Sequence, residues 1–336
     1  MNNFFYLLIC ILILAAFKKS YNIGKVLGVL SYPDKYRKFH KKPVPQVGGV
    51  ILFFTFIILA ILDKQSFLIT LNNFTKGNNI NNFFFLFLII SLFLIGLIDD
   101  RNDLSPYTKL ILLGIVTSTL LISASTMNVK FIKLSFYRTV DLLDYSGLVG
   151  IFFLIIFINA MNMFDGINLQ SSLLFFTIYS YILFYLRLDT FILVILIFLI
   201  IFSFFNYKDK VFLGDSGVYL LTTLSFLYLS TIYQNEKLNI SFDEILILNI
   251  LPIVDFLRVT LYRIIKKENP FLSDRKHFHH LLLKKFKYKI SIGILSIGIL
   301  APILIYKILD LGFLISFVLF SFYYCFFILY KNSKLR

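Results

Sequence analysis

Long apolar runs alternate with short polar segments along almost the whole chain. Eleven of these runs approach the roughly 20 apolar residues that a helix needs to cross a bilayer, so the pattern predicts a bundle of transmembrane helices. Several runs are short, and a count of ten is the alternative. The runs cover residues 3–17, 48–62, 83–98, 108–125, 147–161, 173–187, 190–206, 216–233, 244–264, 290–308 and 311–330.

The composition supports the same fold class. Of the 336 residues, 59% are hydrophobic and 15% are charged, whereas a soluble globular domain has about 45–50% and about 25%. This balance excludes a disordered chain, a nucleic-acid-binding domain and an ordinary soluble enzyme. We therefore predict one domain over residues 1–336, an all-α polytopic integral membrane protein with its active-site loops in the cytosol. Cys10 and Cys325 lie in apolar runs, so neither a disulfide framework nor a thiolate metal site is indicated.

Basic residues are distributed unevenly between the two sets of connecting segments. The segments that follow odd-numbered runs hold 25 of the 33 Lys and Arg. By the positive-inside rule these segments are cytosolic, which puts the N-terminus outside and the C-terminus inside a plasma (inner) membrane. Lys18 and Lys19 follow the first run rather than precede it, which indicates a retained helix and not a cleaved signal peptide. On the outer side, the alternation over 129–140 predicts a small hairpin.

Every dense polar cluster falls in a segment predicted to be cytosolic. The first, residues 40–49, combines cations with two prolines and a glycine pair, which suits a rigid turn that binds an anion or a basic anchor at the membrane surface. The second contains Asp99 and Asp100 at the end of an apolar run. Adjacent carboxylates are disfavoured at a helix C-terminus unless a cation lies near them. Mg²⁺ would suit this pair; a solvated turn paired with Arg101 is the alternative.

The third and fourth clusters also lie at the ends of apolar runs. Asn159, Asn162 and Asp165 recur every three residues, which places them along one helix face, either as a cavity wall or as a buried helix contact. The Gly-Asp-Ser-Gly sequence at 214–217 precedes a helix. Free N–H groups there, together with the Asp215 carboxylate, could hold a metal-bound phosphate, and a simple helix cap is the alternative.

The fifth cluster extends from Asp255 and Arg258 into a predicted cytosolic loop at 265–289 with an HxHH motif. Zn²⁺ would need more ligands than this motif supplies, so cationic and hydrogen-bonding groups for a pyrophosphate fit better. Residues 281–289 are basic and amphipathic, which is also typical of a surface helix on anionic lipid. Together the five clusters predict a site for a nucleotide or phosphate with Mg²⁺.

These motifs also carry a family resemblance. The chain resembles the polyprenyl-phosphate N-acetylhexosamine-1-phosphate transferases, the MraY/WecA-type enzymes, and its HxHH form is similar to the WecA branch. One departure is clear, because the family commonly has DGxDGL where this chain has Asn168 and Leu169 in place of the second Asp and Gly. The matching segments, in the family's order, are 45–49, Asp99-Asp100 with Lys109, 159–166, 211–217 and 273–280.

The resemblance implies transfer of a sugar-1-phosphate from a UDP-N-acetylhexosamine to polyprenyl (undecaprenyl) phosphate, with release of UMP, at the start of surface-polysaccharide synthesis. It implies Mg²⁺, with Mn²⁺ as a substitute, held by Asp215 and Asn162. Asp99, Asp100 and Asp215 are the implied catalytic residues, and Asp99 or Asp100 would take a proton or hold the metal through water. The implied substrate-binding residues are His40, Lys41, Lys109, Asn159, Asp165, Asn168, Phe212, Arg275, His277, His279 and His280.

Other functions remain open at this point. A related transferase would use phospho-N-acetylmuramoyl-pentapeptide or a modified UDP-deoxy or diamino sugar. A transporter for a lipid phosphate or nucleotide sugar is a different class, and it would need polar residues on both faces of the membrane. The expected partners are the UDP-sugar, the polyprenyl phosphate and the lipid bilayer, with no nucleic acid, and a homodimer is one arrangement that the sequence leaves open.

Overall fold

The structure is a computed structural model of the chain. It describes residues 3–33, 40, 42–75, 78–119, 129–186, 189–269, 275–309 and 312–330. Within these ranges the chain is almost entirely helical. The α-helices are α1 (Asn3–Lys18), α2 (Ser20–Leu27), α3 (Gly48–Leu62), α4 (Lys64–Thr75), α5 (Asn79–Asn102), α6 (Pro106–Thr117), α7 (Ser146–Phe164), α8 (Gln170–Leu186), α9 (Thr190–Tyr207), α10 (Gly214–Tyr233), α11 (Phe242–Leu248), α12 (Ile250–Ile265), α13 (Phe278–Lys285), α14 (Tyr288–Ile308) and α15 (Gly312–Leu329).

Two short antiparallel strand pairs complete the described secondary structure. Strand β1 (Leu30–Ser31) pairs with β2 (Val44–Pro45), with Leu30 opposite Pro45. Strand β3 (Phe131–Ile132) pairs with β4 (Val140–Asp141). The second pair confirms the hairpin predicted over 129–140, whereas the first pair was not predicted.

The helices confirm a polytopic membrane protein. Six described helices are long and apolar enough to cross a membrane, and the number rises to nine if each of three bent helix pairs is one span. Helices α6 and α8 are shorter apolar helices. Each of the eleven predicted runs coincides with a described helix or helix pair, while eleven membrane crossings stay a prediction.

The predicted run at 244–264 is not one continuous helix. It breaks into α11 and α12, which are bent by 79°. Asn249 lies at the break, where it ends α11, and its side chain donates to the carbonyl oxygen of Ile245 at 3.0 Å. Pro252 follows in the first turn of α12, a position that tolerates the missing N–H. The sequence did not show this break, because a single apolar run does not reveal where a helix bends.

Helix α10 lies at the centre of the bundle. Of its most apolar stretch, 94% is buried inside the protein, and α10 packs against α3, α5, α7 and α8. Its high content of Ser, Thr and Gly matches this position, because small residues let neighbouring helices approach closely within a membrane. The N-terminus of α10 consequently meets several other helix ends at one end of the bundle.

Glycines make this close approach possible. A Cβ on Gly96 of α5 would lie 2.5 Å from the backbone nitrogen of Ser216, and one on Gly49 of α3 would lie 2.1 Å from that of Gly217. Real Cβ atoms do not approach backbone atoms this closely, so side chains are excluded at both positions. Helices α3, α5 and α10 therefore meet backbone to backbone.

Acidic side chains at the opposite end of the bundle are satisfied by the protein itself. Asp243 accepts hydrogen bonds from the backbone nitrogen and hydroxyl of Ser135, both at 2.7 Å, which ties α11 to the hairpin. Glu244 accepts a hydrogen bond from Tyr185 at 3.0 Å and pairs with Lys307 at 2.5 Å. These buried carboxylates hold elements together, since each has polar partners that offset its removal from water.

The glycine contact gives a direct test of the packing. Gly96→Ala would force α5 away from the start of α10, so we expect a loss of about 1–3 kcal/mol in the free energy of unfolding. Gly114→Ala in α6 is the matched control, because nothing lies within 4 Å of its added Cβ, and alanine is the better helix former. Thermal unfolding in detergent measures the stability of both variants. Equal stability of the two variants would contradict the packing described here.

Candidate active site

Asp100 holds the start of α10. Its Oδ1 accepts a hydrogen bond from the backbone nitrogen of Asp215 at 2.7 Å, and its Oδ2 accepts from the nitrogen and hydroxyl of Ser216 at 3.1 and 2.8 Å. Gln46 adds a fourth donor at 3.2 Å. A carboxylate from α5 thus caps α10, a favourable position for negative charge. The sequence suggested that these N–H groups are free for a phosphate; that expectation was wrong, because Asp100 binds them.

The first motif is joined to the turn before α10. Gly48 and Gly49 donate their backbone N–H groups to the carbonyl oxygens of Phe212 and Leu213 at 3.0 and 2.8 Å. The nitrogen of Phe212 donates in return to the carbonyl oxygen of Pro45 at 2.9 Å. The close approach leaves no room for side chains, since a Cβ on Gly48 would lie 2.8 Å from the Cα of Leu213.

The two aromatic rings above this junction are neighbours. The His40 ring meets the Phe212 ring edge to face, with centroids 5.2 Å apart. Both were predicted to contact substrate, and the structure places them side by side. Lys41, also predicted to contact substrate, lies outside the described residues.

One cation lies between two carboxylates. The Lys109 ammonium contacts Asp99 Oδ2 and lies 3.5 Å from Asp215 Oδ2. The Asp99 side chain is 2% exposed, whereas those of Lys109 and Asp215 are each 27% exposed. Mg²⁺ was the cation predicted beside the Asp99-Asp100 pair, with Arg101 as the alternative; the structure places the Lys109 ammonium beside Asp99, and Mg²⁺ stays a prediction. The site therefore combines a buried carboxylate with a partly open carboxylate and ammonium.

Asp165 lies immediately after the last residue of α7. Burial raises the pKa of Asp165 to about 6, against the opposing hydrogen bond from Ser171, and the negative charge of Asp215 adds to the rise. The electrostatic effect of Asp215 shows that the third motif is close to the start of α10. Asp165 is consequently only partly neutralised near neutral pH.

The two asparagines of this motif have different surroundings. Asn159 donates through its side chain to the carbonyl oxygen of Ile155 at 2.8 Å, a contact within α7. Asn162 lies one turn nearer the site and is partly buried. Substrate binding by Asn159 and metal binding by Asn162 stay predictions.

The HxHH segment packs on the turn that follows α7. A Cβ on Gly166 would lie 2.0 Å from His279 Nε2, so the imidazole occupies the space that a side chain would take. Gln170 contacts the other ring nitrogen of His279 at 3.3 Å. This contact brings the third and fifth motifs together although 113 positions separate Gly166 and His279.

Two of the histidines in this motif, His279 and His280, are buried in a way that disfavours their charged form. Burial lowers the pKa of His279 well below its ordinary value and that of His280 to about 4. The positive charge of Arg275 contributes to the shift of His280, which places Arg275 near the motif. The sequence suggested cationic and hydrogen-bonding groups for a pyrophosphate here. Burial disfavours the cationic form of His279 and His280, and the contact of the motif with a pyrophosphate stays a prediction.

Asp255 binds the remaining histidine. His277 Nδ1 is 2.9 Å from Asp255 Oδ2, and the backbone nitrogen of Phe278 donates to both carboxylate oxygens at 3.0 and 3.1 Å. Arg258 and Tyr324 add donors at 2.7 and 2.6 Å. Sequence reasoning grouped Asp255 with this cluster but gave it no role. Its signal was a carboxylate inside an apolar run, which is rare and usually functional.

Asn168 contacts the end of α9. Its side-chain nitrogen donates to Asp209 Oδ1 at 2.6 Å, and its neighbour Leu169 donates its N–H to the side-chain oxygen of Asn206 at 2.7 Å. Leu169 has φ of +67°, which favours glycine, the residue that the related motif commonly has there. The Asn168 side chain therefore has a protein partner, and its predicted substrate contact stays a prediction.

The donor set fits a magnesium ion that is shared with substrate. Within the described part of the chain, no three His, Cys, Asp or Glu side chains are grouped so that they could hold a metal. Mg²⁺ uses one or two carboxylates and takes its other ligands from water and substrate phosphates. Asp215 supplies one such carboxylate, with 27% of its side chain exposed. The oxygens of Asp99 already contact the Leu104 N–H and the Lys109 ammonium.

One protein-family profile matches the central part of the chain. The profile of a family described as Glycosyl transferase family 4 matches residues 82–233. This range includes Asp99, Asp100, Lys109, the third motif and Asp215, but neither His40 nor the HxHH segment.

Similar proteins extend over most of the chain. An undecaprenyl-phosphate alpha-N-acetylglucosaminyl 1-phosphate transferase of Thermotoga maritima is 31% identical over 288 residues, which covers 82% of this chain and 80% of the relative. The protein of that name from Pasteurella multocida is 29% identical, and the match covers 78% of this chain and 73% of that relative. A phospho-N-acetylmuramoyl-pentapeptide-transferase of Streptococcus agalactiae is 29% identical, and the match covers 60% of this chain and 63% of that relative.

The contact between Asn168 and Asp209 can be tested by moving the charge. Asn168→Asp would place two carboxylates within hydrogen-bond distance, and we expect it to lower the free energy of unfolding by about 1 kcal/mol. Asn168→Asp combined with Asp209→Asn exchanges the two groups and should restore stability. Thermal unfolding of the two variants, with Asp209→Asn as the control, measures the effect. A double variant as unstable as Asn168→Asp would contradict the pairing.

Proposed function

The chain belongs to glycosyl transferase family 4, and from this we propose that it transfers N-acetylhexosamine-1-phosphate from a UDP-sugar to undecaprenyl phosphate. UMP is the leaving group, and the product is a polyprenyl-pyrophosphoryl sugar. The transferase names of the Thermotoga and Pasteurella relatives support this reaction. The observation that carries the proposal is the cluster of Asp99, Lys109 and Asp215, which places one ammonium between two carboxylates at the start of α10.

We propose that this end of the bundle faces the cytosol, where nucleotide sugars are found. The distribution of Lys and Arg supports that orientation, since 25 of 33 lie in segments on the side of the site. The contacts of the first and last described helices agree with the predicted opposite location of the termini. Gly24 in α2 approaches Pro45 near the site, and Tyr324 near the end of α15 binds Asp255.

The reaction brings two anionic phosphates together. An oxygen of the lipid phosphate attacks the phosphorus attached to the sugar, and the bond from that phosphorus to the oxygen of UMP breaks. Neutralisation of charge is therefore the main requirement. Lys109 supplies a positive charge, and Asp99 keeps the ammonium in place from its buried position.

The lipid phosphate needs little help to lose a proton. A phosphate monoester has its second pKa near about 6, so it is mostly dianionic at neutral pH. Positioning and charge balance by Lys109 and the Asp residues then count for more than a general base. The firm attachment of Asp100 to α10 also favours a positioning role for that carboxylate.

Mg²⁺, when bound, would neutralise the pyrophosphate and stabilise the departing UMP. Asp215 and Asn162 would hold it by family resemblance, Asp99 or Asp100 would contribute through water, and Mn²⁺ would substitute. The chain's own groups would orient the donor. His40 and Phe212 form an aromatic pair for the uracil, and His279 and His280 offer neutral hydrogen-bonding groups beside Arg275.

The donor sugar is the part of the proposal with two named alternatives. The relatives from Thermotoga and Pasteurella favour UDP-N-acetylglucosamine, whereas the Streptococcus relative makes phospho-N-acetylmuramoyl-pentapeptide the second candidate. Modified UDP-sugars are further candidate donors. A transporter is disfavoured, because the buried acidic groups Asp243 and Glu244 at the opposite end bind protein partners.

Asp215→Asn tests the proposed site. We expect the variant to lose at least about 100-fold in UMP release from purified protein with undecaprenyl phosphate, Mg²⁺ and a panel of UDP-sugars, because a charge at the reacting phosphates is removed. Asp141→Asn makes the same chemical change in the exposed strand β4 at the far end and should keep full activity. Wild-type rates in Asp215→Asn would refute the site, and the donor that supports turnover would identify the sugar.

A further inference from the structure

We propose that Asp255 is a positioning residue that fixes the ring orientation and proton location of His277, and so leaves His277 Nε2 as the nitrogen that binds a phosphate oxygen. This inference rests on the proposed function, in which the HxHH segment contacts the donor pyrophosphate. It adds a residue from α12 to a site otherwise built from the ends of α5, α6, α7 and α10.

The surroundings of Asp255 support a fixed rather than a mobile carboxylate. The residue is 2% exposed, so water cannot compensate for a lost partner. Both oxygens accept the backbone N–H of Phe278, the first residue of α13. Arg258 supplies the opposite charge at 2.7 Å and also donates to the carbonyl oxygen of Lys276 at 2.6 Å. The residues on each side of His277 are thereby tied to Asp255 and Arg258.

The contact with the ring specifies where a proton lies. Asp255 carries no proton to donate when it is ionised, so His277 Nδ1 must be the donor in the 2.9 Å contact. The other nitrogen, Nε2, has no hydrogen-bond partner among the described residues, and the side chain is 7% exposed. Nε2 is therefore the one ring nitrogen still available to a ligand.

A phosphate oxygen accepts hydrogen bonds, so it needs a proton on Nε2 as well. In a complex with a phosphate, protons would then lie on both ring nitrogens, and the Asp255 carboxylate would balance the charge of the ring. The other titratable and charged groups around the pair are Arg258, Tyr324, His279 and His280. His277 is thus the histidine of the motif whose ring the structure places against the Asp255 carboxylate.

Nitrogen NMR of ¹⁵N-histidine-labelled protein tests the ring directly and does not depend on activity. The chain has four histidines, so His277→Gln identifies the resonances of His277. We expect Nδ1 of His277 to be protonated in the wild-type protein. In Asp255→Asn, we expect the proton to lose its preference for Nδ1 over Nε2. A ring with its proton on Nε2 alone, or one unchanged by Asp255→Asn, would overturn the inference.

Kinetics then tests whether Asp255 acts through His277. We expect Asp255→Asn to raise KM for the UDP-sugar, and to lower kcat/KM for it roughly 10- to 100-fold, with KM for undecaprenyl phosphate unchanged. A purely structural role would instead lower the active fraction, and so kcat, with both KM values unchanged. Both changes affect one interaction. The double variant Asp255→Asn with His277→Gln should therefore have the same kcat/KM for the UDP-sugar as His277→Gln alone.

Tyr324→Phe is the matched control. It removes another hydrogen bond to Asp255, the one at 2.6 Å, without touching His277, so it should leave KM for the UDP-sugar near the wild-type value. Additive effects of Asp255→Asn and His277→Gln would overturn the inference, as would a rise in KM in Tyr324→Phe that equals the rise in Asp255→Asn. Absence of UMP release from the wild-type protein would refute the proposed function alone, and the NMR experiment would still decide the positioning role.

Discussion

The capping of α10 by Asp100 is the interaction on which the candidate site depends. The start of α10 is buried among other helices, and each N–H left without a partner there would cost about 1–3 kcal/mol. Asp100 satisfies two of these groups from the end of α5. Because Asp99 precedes it and Asp215 lies at the capped helix start, the same contact sets the distance between the two carboxylates that share Lys109.

Close helix packing gives this cap its rigidity. Gly49 and Gly96 allow α3 and α5 to touch the first turn of α10 through backbone atoms alone. The two ends of the bundle then differ in whether their charged side chains are buried against protein partners or partly exposed. At the far end, Asp243 and Glu244 bind hydroxyl, ammonium and backbone groups of neighbouring elements. At the site, Lys109 and Asp215 stay partly exposed, so their charges remain available to a ligand.

Much of the fold could be predicted from the sequence, because a bilayer imposes long apolar runs that are easily recognised. The helix break at Asn249 could not, since the residues on both sides of it are equally apolar. In the site, the spacing of carboxylates and amides indicated segments that the structure brings together. It could not show that Asp100 caps a helix, that Asn168 binds Asp209, or that Asp255 binds His277, because those contacts join residues 22 to 115 positions apart.

Equilibrium binding of UDP to the purified protein, with Mg²⁺ or with EDTA, tests most directly whether the Asp99, Lys109 and Asp215 cluster is a nucleotide diphosphate site. Among the described residues, no group of three His, Cys, Asp or Glu side chains could hold a metal without substrate phosphate, and one ammonium lies between the two carboxylates. UDP should therefore bind with Mg²⁺, and this binding should be lost in EDTA. Equal affinity under the two conditions would contradict the account, because the pyrophosphate would then bind without a shared metal.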